Sequence, residues 1–197
     1  MKLKVILQVV LAIVIIALAY LIYAGIMAPV KFNNEMNARK NAVIERMKDI
    51  RTVEVMYLNM HGRYCSTFDS LIQFVEEGQL PLIKLTARPG DSTFTNPIRD
   101  TVGFISIKDS LFSKRENFKI EHLPIIPFSN IDNVQPDTFN LQVGTVDRSN
   151  VTLNVIEVFA ANKYFLKGLD LEKFNIDPED GVRFGSMSEP ITDGNWE

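Results

Sequence analysis

Apolar and polar residues fall into three regimes along this chain. From Val5 to Val30 no residue is charged, and Gln8 is the only strongly polar one. Residues 5–26, from Val5 through Ile26, are apolar on every helical face and span roughly 33 Å at about 1.5 Å per residue. That run predicts a transmembrane helix, because in lipid a helix satisfies its own backbone. Tyr20 and Tyr23 stand toward its C-terminal end, where aromatic rings suit the interface, and Pro29 is expected to break or kink the helix as it leaves. The run is longer than the apolar region of a cleaved signal peptide, and only weak small-residue cleavage options lie near Ala24 and Ala28, so it reads as a retained anchor.

Over residues 33–60 the pattern becomes helical. Val43, Met47, Ile50, Val53, Tyr57 and Met60 recur at steps of three or four and make one stripe. Glu35, Arg39, Lys40, Glu45, Arg46, Lys48, Asp49, Arg51 and Glu54 are assigned to the other faces, and Gly62 is the expected stop. The stripe either packs on the protein's own head or meets a copy of itself or another subunit.

From Ser66 onward the signals are shorter. Ser66 or Thr67 can cap a helix over 68–77, with Phe68, Leu71, Ile72, Phe74 and Val75 apolar and Gly78 and Pro81 ending it. Residues 101–107, 139–145, 151–158 and 182–187 read as strands. Asp147-Arg148-Ser149-Asn150 is the expected four-residue hairpin loop, and 123–128, with two prolines, is at best an extended edge segment. Helices first and strands afterwards predict an α+β fold: a transmembrane helix continuing into an amphipathic helix, then a short helix and a small, mostly antiparallel sheet. The expected division is 1–30 for the tail and membrane helix, 31–64 for the amphipathic stalk and turn, and 65–197 for the head.

Charge separates the same three parts. Residues 1–30 carry only Lys2 and Lys4; 31–64 carry seven Lys/Arg against four Asp/Glu, a net of +3; 65–197 carry twelve against twenty, a net of −8. An acidic head lacks the concentrated basic face that phosphates need, so no nucleic-acid partner is expected. The lipid bilayer is the expected partner of Val5–Ile26, and protein partners or self-association are expected through Val43, Met47, Ile50, Val53 and Tyr57. Basic residues near the two ends of the run are almost balanced. The N-terminus is placed inside, because its lysines abut the helix and a long C-terminal part translocates largely regardless of charge.

The order of elements resembles type IV pilins and the pseudopilins of type II secretion, whose long N-terminal helix lies half in the membrane and half on a small sheet. The apolar run, the stripe from Val43 to Tyr57, and Gly62-Arg63-Tyr64 followed by 66–71 carry the resemblance, over about the first 80 residues. The chain departs from that family where Met1-Lys2-Leu3-Lys4 runs directly into the apolar stretch, with no Gly before it and no Glu inside it. It is therefore expected to act first as a permanent anchor and only second as a filament-building element. The tail, Gly194-Asn195-Trp196-Glu197, is also similar to that of uncharacterised single-pass bacterial envelope proteins.

Candidate chemistry changes this picture little. No nucleophile elbow, phosphate loop, dinucleotide fingerprint or zinc spacing is present. Cys65 has no second cysteine to pair with and reads as a small buried residue rather than a reactive thiol; His61 and His122 have no ligand spacing. The acidic cluster Asp177-Pro178-Glu179-Asp180-Gly181 lacks full calcium-loop spacing and reads as an exposed turn, and Asn150-Val151-Thr152 is an isolated sequon. No catalytic, cofactor or metal residue is assigned. The expectation is a non-enzymatic structural or assembly component of a bacterial envelope machine, single-pass in the inner membrane with its head outside the cytoplasm. An anchored module binding a ligand or protein is the alternative, and an enzyme with a site dispersed in sequence comes third.

Overall fold

The computed structural model describes residues 2–87, 97–113, 119–131, 135–149 and 151–197. Its dominant element is one helix, α1 (Lys2–His61), unbroken over 60 residues. This corrects the expectation at Pro29, which lies inside the helix instead of ending it. Proline removes one donor and crowds the carbonyl four residues back. Here that residue is Gly25, beside which a Cβ would meet open space. Residues 6–23 of α1 are exposed throughout, whereas Val43, Met47, Ile50 and Val53 are fully buried.

The head wraps the second half of this helix. α1 closes at Gly62, whose φ of 72° suits glycine and whose N–H donates to the Leu58 carbonyl at 2.8 Å. α2 (Phe68–Glu77) follows, with Thr67 as its N-cap and Leu71 and Val75 buried. Then come β1 (Gln79–Thr86), β2 (Ile98–Ser106), α3 (Ile107–Phe112), a single 3₁₀ turn at Ile120–His122, β3 (Asn140–Arg148), β4 (Val151–Ala161), α4 (Asn162–Phe165) and β5 (Gly181–Gly185). The fold is α+β with small antiparallel sheets, as expected.

A three-stranded sheet, ordered β3-β4-β5, covers the stripe of α1. Along β4 the alternate residues Ile156, Val158 and Ala160 are fully buried, opposite Val143, Phe184 and Val182 of the flanking strands. Period-two alternation thus sets one face of the sheet against the three-to-four-residue period of α1. Each fully buried stripe residue contributes about 1.5–3 kcal/mol. The loop expected at 147–150 is shorter than predicted: Asp147 pairs with Thr152 and Arg148 with Val151, so the ladder runs almost to its tip. Asn150, and with it the sequon's acceptor, lies outside the described residues. Residues 123–128 form turns with one bridge, Ile125 to Thr138, and no strand.

β1 and β2 form a separate two-stranded sheet. β1 was not expected, because Pro81 follows the helix stop and mimics a continuing turn. Proline is tolerated here because β1 is an edge strand. Only Leu80 and Ile105, paired near the base, are half-buried among its large apolar side chains.

Candidate functional site

Three features of the described residues could carry function: a cavity at the C-terminal end of α1, the β1–β2 arm, and the bare half of α1.

The cavity holds about 370 Å³ between the end of α1, the turn after it and the inner face of β3 and β4. Tyr57, Arg63, Tyr64, Cys65, Ser70 and Asn154 are among its walls. Asn154 closes one side by donating its side-chain amide to the Gly62 carbonyl at 2.9 Å. Behind the Cys65 wall lies Glu54, which is 0% exposed. One carboxyl oxygen accepts the Cys65 backbone N–H at 2.9 Å, and the other has no hydrogen-bond partner. Burial raises this carboxyl from 4.5 to about 7, against the opposing pull of the Cys65 N–H. The sequence pattern places Glu54 on the charged faces. It lies four residues after Ile50 and seven after Met47, so its spacing continues the stripe, and its charged type hid that position.

This arrangement does not activate a nucleophile. The Cys65 thiol donates to the Thr67 carbonyl at 3.4 Å, and burial raises its pKa, whereas a reactive thiolate needs the opposite. Glu54 touches Cys65 through the backbone N–H, so no base faces the sulfur along that contact. Burial and the Glu54 charge also raise the Tyr64 hydroxyl.

The other sequence candidates are dispersed. The His61 ring stacks on Tyr57 at 4.2 Å, and His122 offers its backbone carbonyl to Arg46. In the acidic cluster, Asp177 accepts the Glu179 N–H at 2.9 Å and Glu179 pairs with Lys163 at 2.8 Å, the contacts of an exposed turn. Among the described residues, no three His, Cys, Asp or Glu side chains are grouped to hold a metal. The stripe residues Val43, Met47, Ile50 and Val53 lie under the head, so their faces are occupied by this chain itself.

The arm shows the reverse. Phe104 is 66% exposed, Val102 60% and Leu85 53%, and Leu82, Ile83 and Ile98 are also bare. The register steps between Leu82 and Ile83, where Val102 is left unpaired in a bulge. Among the described residues no further strand joins this pair, so each outer edge presents unpaired backbone groups. An isolated hairpin is marginal in water, and contiguous apolar surface on a soluble face marks a contact site.

The first half of α1 is long and apolar enough to cross a membrane, and none of that stretch is buried in the protein. No protein-family model, curated protein or solved structure matches this chain.

Proposed function

We propose that this protein is a single-pass, membrane-anchored, non-enzymatic structural or assembly component of a bacterial envelope machine, pilin-like in build. The observation that carries the reading is the β1–β2 arm, which exposes Leu82, Ile83, Leu85, Ile98, Val102 and Phe104 and whose outer edges pair with no other strand among the described residues. The apolar half of α1 supports anchoring through residues 5–26. Burial of the stripe from Val43 to Val53 supports the pilin-like arrangement of one helix shared between bilayer and sheet. In this reading the N-terminus is cytoplasmic, the head faces outward from the inner membrane, and the arm rather than the stripe meets other subunits.

Photo-crosslinking from position 104 of the full chain in membranes tests it. Defined adducts, lost in Ile83→Lys, are expected. A strictly solitary monomer with no adduct from the arm would argue against assembly.

A second reading is an anchored binding module. The open cavity favours it, because Arg63, Tyr64, Ser70 and Asn154 offer mixed polar and aromatic contacts to a small solute. Saturable ligand protection of Tyr64 from chemical modification, in a monomeric chain, would favour it over assembly.

A further inference from the structure

We propose that the segment 169–176, at the base of the head, is a seat on the lipid headgroup interface, so that the head abuts the bilayer instead of standing off on a stalk. The inference rests on the reading of α1 as a membrane span, and takes the lipid surface as the segment's partner.

Its position follows from one contact. The Phe174 ring stacks on Phe32 of α1 with centroids 4.0 Å apart and planes 15° from parallel, leaving Phe32 only 7% exposed. Phe32 lies about 3 Å along the helix from Val30, where the uncharged run ends, and about 9 Å from Ile26. The headgroup layer adds roughly 5–8 Å to each side of the hydrocarbon. Phe174 therefore stands within that layer or at its outer face.

The segment is also held rigidly at that height. The Arg39 guanidinium donates to the Lys167 carbonyl at 2.8 Å and to the Phe165 carbonyl at 3.3 Å, tying the chain just before the segment to α1. Lys167 Nζ pairs with Asp137 at 2.6 Å and donates to the Ser129 carbonyl at 2.8 Å. The turn closes on itself where the Ile176 N–H donates to the Leu171 carbonyl at 3.0 Å, with Asn175 at a φ of 51°.

Its chemistry suits an interface. Phe174 is half-buried, and the exposed Lys173 ammonium lies 5.7 Å from its ring centroid. Lys31 is exposed one residue before Phe32. An aromatic ring with flexible ammonium groups beside it is the usual composition at headgroup depth. Exposed Asp170, Glu172 and Asp177 outnumber these two cations, so the seat is not a polybasic patch. Contact is accordingly expected with zwitterionic lipid and needs no anionic lipid.

Spin labels on the full chain in phosphatidylcholine nanodiscs test the seat. Lys173→Cys probes it, Glu172→Cys checks it independently, Ile13→Cys reports the bilayer interior, and Glu76→Cys reports water. Glu76 lies on α2, whose Phe74 packs on Tyr57 and His61, and His61 is roughly 44 Å farther along α1 than Phe32. Native Cys65 is buried, and the unsubstituted chain serves as the labelling blank. At 173 and 172, accessibility to a water-soluble nickel chelate should be several-fold below that at 76, and unchanged on adding phosphatidylglycerol. Accessibility at 173 and 172 equal to that at 76, with 13 in lipid, overturns the seat and leaves the anchor standing. Water-like accessibility at 13 overturns the anchor and the seat together.

Discussion

The backbone N–H of Cys65 donates to the Glu54 carboxyl at 2.9 Å, pinning the turn that follows α1 to a side chain with no exposed surface. The remaining carboxyl oxygen has no partner, so a charge there would be uncompensated. This pair joins the end of the helix to the start of the head.

A pH dependence follows. Glu54 is raised by burial from 4.5 to about 7, so between those values the folded chain holds a proton that the unfolded chain releases. The stabilisation is complete below about 4.5 and is lost as pH rises to and through about 7. That window corresponds to about 3 kcal/mol. Urea unfolding of the head in mild detergent should show it, and Glu54→Gln, which mimics the protonated acid, should flatten it. Equal pH dependence in both chains would assign the effect elsewhere.

Cys65 should be inert in the native chain. It is buried, and burial raises its thiol above the ordinary range, so little thiolate is present near neutrality. A disulfide reagent is expected to react slowly in buffer and promptly in strong denaturant. Rapid native reaction would mean that the turn over residues 62–67 opens readily.

Gly185 should not tolerate alanine. Its φ is 77°, and a Cβ there would stand 2.1 Å from the Ile156 carbonyl oxygen in the neighbouring strand. Left-handed backbone costs a non-glycine residue about 1–2 kcal/mol, and the clash would also force β5 off β4. Gly185→Ala should lower the unfolding free energy by more than about 2 kcal/mol. Gly25→Ala, in open space, should leave the head unchanged and serves as the control.

Met47→Ala should cost about 2–5 kcal/mol, the usual range for a large core residue cut to alanine. Met47 is fully buried between α1 and the sheet. Ile13→Ala, in the bare half of α1, should leave head stability unchanged within about 0.5 kcal/mol. Parallel denaturation of the two variants checks the contrast. Equal loss in both would mean that the two halves of α1 do not unfold separately.

Local pattern alone determined the apolar run, the stripe and the short helix. A span needs only length and absence of charge. A helix face needs only the three-to-four-residue step that Val43, Met47, Ile50 and Val53 keep. The pairing of β3 with β4 was equally legible, because their apolar alternation and intervening polar turn lie close together in the chain. Tertiary structure decided the rest. Pro29 stays inside α1, where its local sequence predicts a break. Glu54 is buried because the turn at Cys65 folds back over it, a contact that no charge scale records. Val43, Met47, Ile50 and Val53 are covered and the arm bare because β3, β4 and β5 took the helix face, while among the described residues β1 and β2 pair with each other and with no other strand. Phe174 reaches Phe32 from the far end of the chain. Those outcomes depend on which distant segments compete for one surface, and residue spacing carries no record of that competition.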